Sequence, residues 1–251
     1  MSGAVYKSGG EGMMTAPSPV SAATPGPERK APALLLLIKG SVYALLIAAL
    51  LFLSSGDLAW PMAWVFAAFC LISVFVNALV LDPALMAERA KAREGAKNWD
   101  KPIVAAIAMA PLVICLVAGL DRRVAGGPRF LPAWQLGALV PMIAGYLLTL
   151  WAMMSNRFFS AIVRIQKERD HSVATAGPYR FVRHPGYAGI LVFYPGLPFL
   201  MGSSWALIPC GVLILVLIVR TVLEDRTLRA ELAGYDEYAR RVRYRLLPGL
   251  W

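Results

Sequence analysis

Long apolar runs separated by short polar stretches dominate the chain from residue 33 onward. Ala33–Leu53, Leu58–Leu81, Pro102–Leu120 and Ala133–Ser155 are each long enough to cross about 30 Å of hydrocarbon at about 1.5 Å per residue. Lys39 lies near the start of the first run, where its long stem lets the ammonium reach the interface. The last two runs, Gly186–Met201 and Trp205–Thr221, are shorter, carry Pro195, Pro198 and Pro209, and are joined only by Gly202-Ser203-Ser204. That combination predicts a tight, kinked helical hairpin leaning on the other helices. The pattern as a whole predicts an all-α integral membrane protein with about six transmembrane helices, or five if the final hairpin counts differently.

Beyond Thr221 the period changes. Leu228, Leu232, Tyr235, Ala239 and Val242 step by four, three, four and three, one face of an amphipathic C-terminal helix. Gly234 weakens that helix by about 1 kcal/mol. The helix is expected to lie on the membrane surface or to fold back over the end of the bundle. Residues 1–32, rich in Gly, Ser, Pro, Ala and Thr without an apolar period, read as a disordered segment rather than a secretory signal. Three regions result: residues 1–32, the four helices of 33–155, and residues 156–251 with the hairpin and tail. No internal repeat or heptad array is visible.

Composition fits the same class. Of 251 residues, 58% are hydrophobic and 16% charged, against about 45–50% and about 25% in soluble domains. Cys70, Cys115 and Cys210 all lie in apolar runs without metal or redox spacing, so neither a disulfide nor a metal site is expected. The net charge of +10 would suggest nucleic acid in a soluble protein. Here it resolves into topology. With six spans, 21 Lys and Arg fall on one side and 3 on the other, with Lys39 inside a span. The positive-inside rule places both termini and residues 177–189 in the cytoplasm, with no nucleic-acid partner.

Polar chemistry gathers at the mouth of the hairpin, in "GPYRFVRHPGYAG" over residues 177–189. Gly177-Pro178 signals a turn. Pro185 suits the first position of a helix, and Gly186 and Gly189 permit close approach to the backbone. The helix start also offers free N–H groups and a positive dipole end to an anion. At the other foot, "RTVLED" carries Arg220 and Glu224 four residues apart on one face. A hairpin turning at residues 202–204 brings the two feet together, so Arg183, His184 and Tyr187 are expected beside Arg220 and Glu224. Such a site offers cations and N–H groups to a carboxylate, a carboxylate to an ammonium, and Tyr179 or Tyr187 to an aromatic base. S-adenosyl-L-methionine carries all three groups.

These elements, from Asn156 to Trp251, resemble the isoprenylcysteine carboxyl methyltransferase family in its broad prokaryotic branch, with related membrane phospholipid methyltransferases sharing parts of the pattern. The resemblance rests on an Arg-His-Pro-x-Tyr-x-Gly element and an Arg-x-x-x-Glu-Asp element flanking the hairpin in order. It implies S-adenosyl-L-methionine bound on the cytoplasmic side of a prokaryotic inner or plasma membrane, beneath a lid made by the C-terminal segment. Tyr179, Arg183, His184, Pro185, Tyr187 and Gly189 then belong to the cofactor pocket, Glu224 meets the cofactor's amino group, and Arg220 contacts the cofactor or Glu224. Tyr235, Tyr238, Arg245 and Pro248 match the closing pattern of the tail.

Upstream, "NRFFSAIVRIQ" leaves a span with Asn156, Arg164 and Gln166 as candidates to face the acceptor, Asn156 and Arg164 also as catalytic candidates. Arg164 is the candidate to bind an acceptor carboxylate through a charge-assisted pair. His171 stands in a polar loop with a weaker claim. The membrane setting implies a lipophilic acceptor entering from the bilayer between helices, with membrane lipids around it. A carboxylate acceptor needs no general base, whereas an amine must first lose a proton. The absence of an obvious unpaired acid besides Glu224 favours O-methylation of an isoprenylcysteine-type carboxylate over N-methylation of a phospholipid amine. A membrane NADPH-dependent sterol-type reductase shares the Arg-His-Pro element but typically has Asn where this chain has Gly186. A non-enzymatic membrane protein or transporter is disfavoured by polar residues confined to one face.

Overall fold

Proline opens several of the helices. Pro61, Pro83, Pro132 and Pro185 each stand at a first helical position, where a missing N–H forfeits no intrahelical bond. The computed structural model describes residues 27–90 and 95–251. Its helices are α1 (Pro27–Ser55), α2 (Pro61–Val80), α3 (Pro83–Ala90), α4 (Asp100–Ala125), α5 (Pro132–Gly137), α6 (Leu139–Met154), α7 (Pro185–Phe193), α8 (Gly196–Met201), α9 (Leu207–Glu231) and α10 (Tyr235–Arg241). The expected disordered segment, residues 1–32, lies outside the described residues as far as residue 26, and α1 begins at Pro27.

Among the described residues, five stretches are long and apolar enough to cross a membrane: Leu34–Ser55, Pro61–Val80, Asp100–Ala125, Pro132–Met154 and Leu207–Glu231. The chain is a multi-pass integral membrane protein. The remaining expected span is the short one. Pro185–Met201 covers only about 25 Å at 1.5 Å per residue, and Pro195 divides it into α7 and α8. It survives as an apolar segment because it lies against other helices, chiefly α6.

The core joins residues far apart in sequence. Leu51 of α1, Phe66 of α2, Ile114 of α4, Met142 of α6, Leu197 of α8 and Leu217 of α9 meet in one buried cluster. The turn from α8 to α9 is fixed by polar contacts. Gly202 adopts φ +70°, and its carbonyl accepts the Arg129 N–H at 2.8 Å. Ser203 Oγ donates to Asp121 Oδ2 at 2.7 Å, and Arg129 Nε donates to the other oxygen at 2.9 Å. This turn brings α9 back antiparallel to α7 and α8, as the three-residue linker predicts.

The tail departs from the sequence expectation. One amphipathic helix was expected through Val242, but α9 ends at Glu231 and α10 starts at Tyr235, with Gly234 at φ +81° between them. The apolar face is kept across the break. Leu232, Tyr235 and Ala239 are buried together, with Leu228 and Val242 against them. Glycine relieves the cost of a left-handed residue, so the chain turns there and each half buries its own side chains.

Close packing of α6 on α7 sets the position of the hairpin. A methyl group on Gly189 would lie 2.5 Å from the Gly145 carbonyl oxygen, and one on Gly145 would lie 2.4 Å from the Gly189 oxygen. Gly189→Ala is therefore expected to push α7 from α6 and destabilise the protein by about 1–3 kcal/mol, read as a lower melting temperature in detergent. Gly211→Ala, which faces open space, should not lower it.

Candidate active site

The site is built where the feet of the hairpin meet the tail. A 3₁₀ turn at Gly177–Arg180, allowed by φ +58° at Gly177, delivers Tyr179 inward and leads to Arg183 and His184 just before α7. The returning tail pairs with this segment through its backbone. Arg183 N–H donates to the Tyr244 carbonyl at 3.0 Å and His184 N–H to that of Arg245 at 2.9 Å.

One carboxylate organises the junction. Asp225 on α9 is 1% exposed. Arg183 donates to it twice, from Nε at 2.7 Å and Nη2 at 3.0 Å. Tyr235 Oη donates at 3.0 Å and Arg245 Nε at 3.1 Å, with Arg229 Nε at 3.4 Å. His184 Nε2 stands 3.4 Å from Asp225 and also from Tyr235 Oη. Because the carboxylate only accepts, this geometry puts the His184 proton on Nε2 and leaves Nδ1 as the nitrogen offered to a ligand. Arg183 Nη1 completes the junction by donating to the carbonyls of Val242 and Arg243 at 2.8 and 2.7 Å. Burial, and then the Asp225 charge, raise the Tyr235 phenol far above its ordinary range, so it remains a donor.

The neighbouring Glu224 has a different environment. It accepts Tyr187 Oη at 2.5 Å and faces a cavity. The Tyr187 ring lies nearly parallel to His184, centroids 5.9 Å apart, and under the Arg220 guanidinium at 5.4 Å. Arg220 bonds not to Glu224 but to Asp100 at the start of α4, through Nε at 2.9 Å and Nη2 at 3.1 Å, and to the Ala161 carbonyl at 2.8 Å. Asp100, fully buried, also accepts the Val163 N–H at 2.7 Å. The loop after α6 is thus tied to both α4 and α9.

That loop holds the acceptor-side candidates. Asn156 caps its own turn through the Phe158 N–H at 2.9 Å and donates Nδ2 to Tyr179 Oη at 3.2 Å. Arg164 pairs with Glu88 of α3 and, at 2.8 Å, with Glu168. Burial alone would depress its pKa, but these two carboxylates carry it above the usual arginine value. Gln166 is fully buried, donating to the Phe158 carbonyl at 2.8 Å and accepting from Arg169 at 2.6 Å. His171 Nδ1 accepts the Gln166 N–H at 3.2 Å. Burial, with Arg164 and Arg169 nearby, keeps its pKa below the ordinary histidine value.

A cavity of about 640 Å³ opens between these elements. Its polar end is lined by Tyr179, His184, Tyr187, Glu224, Tyr235 and Tyr238, and its apolar end by Ile47, Phe66, Phe69, Cys70, Ile107 and Ile190. Of the residues singled out in the sequence, Asn156, Arg164, His171, Arg183, Gly186 and Arg220 also line it. Pro185, Gly189, Gln166, Arg245 and Pro248 do not. Pro185 starts α7 and Gly189 makes the α6 crossing, while Gln166 braces its loop and Arg245 joins the tail to Asp225.

Three acids carry much of this geometry without having been singled out in the sequence: Asp225, Asp100 and Glu88. The available signal was charge balance, since arginines brought to the end of an apolar bundle need buried carboxylates. For Asp225 the hint was its place beside Glu224 in "LED", and for Asp100 its place directly before an apolar span.

Residues 137–230 match the family model described as the isoprenylcysteine carboxyl methyltransferase (ICMT) family. A probable protein-S-isoprenylcysteine O-methyltransferase from Oryza sativa subsp. indica is 25% identical over 109 residues, 43% of this chain and 57% of the relative. Protein-S-isoprenylcysteine O-methyltransferase B from Arabidopsis thaliana is 27% identical over 107 residues, 41% and 54% of the two chains. Protein-S-isoprenylcysteine O-methyltransferase from Schizosaccharomyces pombe is 35% identical over 71 residues, 28% and 30% of the two chains. The chain thus spans little more than half the length of the first of these relatives.

Asp225→Asn should expose the dependence of the junction on one charge. It leaves Arg183 and Arg245 without their carboxylate, a loss expected to cost about 3–5 kcal/mol. Thermal melting in detergent reads the loss, and faster proteolysis beyond Val242 reads release of the tail.

Proposed function

We propose that this protein, whose residues 137–230 match the isoprenylcysteine carboxyl methyltransferase family model, is an S-adenosylmethionine-dependent membrane methyltransferase that esterifies a lipophilic carboxylate. The observation that carries this reading is a single cavity with two chemistries. Its polar, aromatic end lies at the Arg-His-Pro element, and its apolar end reaches between α1, α2 and α4. A polar methyl donor and a lipid-like acceptor could meet there without either crossing the other's environment.

The residues present fit the donor. Glu224 gives an ammonium a carboxylate already polarised by Tyr187. Tyr179 and Tyr187 offer rings to a purine, and His184 offers Nδ1 as a polar contact. Tyr238 Oη donates to the Tyr179 carbonyl at 2.8 Å, so the tail holds that ring in place. When bound, the cofactor supplies a methyl group on a cationic sulfur, which a carboxylate oxygen takes up to give an ester and a neutral thioether, with no proton to place. The protein's work is then alignment and exclusion of water. Arg183, Arg245 and Asp225 act as positioning residues that hold the tail over the polar end.

The acceptor side favours oxygen over nitrogen. An amine would need a base; Glu224 and His171 are committed, and His184 belongs to the polar end assigned to the donor. Glu224 accepts from Tyr187, and His171 uses Nδ1 to accept a backbone N–H, which leaves Nε2–H as a donor. Asn156 and Arg164 line this side. Arg164 already carries two carboxylate partners, so its role is to position the loop. The excess of basic residues flanking this end of the spans supports a cytoplasmic site and cytoplasmic termini.

Titration calorimetry with S-adenosylmethionine and its demethylated product tests the reading. Saturable binding is expected in the wild type, weakened at least about tenfold in Glu224→Gln, since charge-assisted hydrogen bonds contribute about 1.5–3 kcal/mol. The melting temperature should show that the variant remains folded. A wild type that binds neither compound overturns the assignment.

A further inference from the structure

Four arginines line the cavity: Arg89, Arg164, Arg183 and Arg220. Three arrive with their charge answered. Arg164 faces Glu88 and Glu168, Arg183 faces Asp225, and Arg220 faces Asp100. Arg89 differs. Its guanidinium lies over the Phe159 ring, 5.5 Å from the centroid, and among the described residues no carboxylate pairs with it. Its neighbours fix its position. Leu85 and Met86 of α3 are buried against Leu150 and Met153 of α6, and Glu88 holds Arg164.

The location is as informative as the missing partner. Phe159 also packs over the start of α7, where a methyl on Gly186 would come within 2.7 Å of its ring. Arg89 therefore stands beside the ring that covers the Arg-His-Pro element, on a cavity wall continuing into the apolar surface of α1, α2 and α4. Burial pulls its pKa below the usual arginine value, the mark of a cation short of solvation, which an anion would relieve.

We propose that Arg89 binds the carboxylate of the acceptor, with the acceptor's lipid chain lying along the apolar part of the cavity. This rests on the methyltransferase reading and extends it to α3, outside the segment that matches the family. The site takes a lipophilic anion whose charged head is directed to the cofactor end by a forked pair of N–H donors. An acid is preferred over its uncharged amide because only the acid answers the buried charge. Among the described residues Arg89→Gln removes no ion pair, so it should not destabilise the protein.

The test is titration of the detergent-purified full chain with S-adenosylmethionine, then with N-acetyl-S-farnesylcysteine and its carboxamide, in wild type, Arg89→Gln and Arg89→Lys. The expected result is a preference for the acid of at least about tenfold in the wild type, the scale of one charge-assisted pair. Arg89→Gln should lose this preference and Arg89→Lys keep part of it, with cofactor affinity and melting temperature unchanged in both. A preference that survives in Arg89→Gln overturns the inference, as does a wild type that binds the cofactor but does not distinguish acid from amide. A wild type that favours lysophosphatidate over the farnesylated acid overturns the carboxylate assignment. Failure of the wild type to bind the cofactor instead overturns the methyltransferase reading, so the two failures are distinguishable.

Discussion

A single buried carboxylate, Asp225, holds the functional end of this protein together. It sits on α9 but is met by Arg183 from the foot of α7, by Tyr235 from α10 and by Arg245 from the tail. None of these contacts is local to one helix turn. Each converts chain proximity created by the hairpin into a fixed geometry, and together they close the tail over the polar end of the cavity. Burying a carboxylate is costly unless it is paired and fully hydrogen-bonded. Asp225 meets that condition by collecting donors from three segments, so those segments must be present together.

The second constraint is separation of environments. The Arg220–Asp100 pair ties the loop after α6 to α4 and α9, and Lys97 joins Glu231 across the same end at 2.6 Å. At this end the Arg183–Asp225 and Arg220–Asp100 pairs are buried. Toward the other end the cavity is walled by Phe, Ile and Cys side chains. A site of this kind stabilises a charged reactant only where it provides a charge or dipole, because apolar side chains contribute none. On the proposed reading, the positions of Glu224, His184 and Arg89 decide what binds more than the cavity's size does.

Much of the architecture was legible in the sequence because hydrophobic length and period are local properties. The long apolar runs, the tight hairpin turn (five residues rather than three) and the apolar stripe from Leu228 to Val242 all reappear. Where the local pattern was ambiguous, packing resolved it. The run after Pro185 was long enough to suggest a span, yet Pro195 divides it and the glycine crossing with α6 holds it in place. The stripe in the tail was correct as a buried face and wrong as one helix, because Gly234 lets the chain turn without exposing Leu232 or Tyr235.

For the site, the sequence determined which segments carry chemistry. The Arg-His-Pro element, Glu224 and the tail tyrosines are close in sequence to the turns that deliver them, so spacing suffices to bring them together. The tertiary structure alone decided the partners. Arg220, four residues from Glu224 on one helix, was expected to meet the cofactor or Glu224, but its hydrogen bonds go to Asp100, 120 residues away, and Glu224 takes the Tyr187 hydroxyl. Arg164 had the outline of an anion receptor until Glu88 and Glu168 came to it, while Arg89, one residue from Glu88, is left facing the cavity over Phe159. Helix-forming tendency and burial are written in neighbouring residues. Charge compensation in a dry interior depends on which side chains distant parts of the chain deliver to the same few ångströms, and only the folded molecule specifies that.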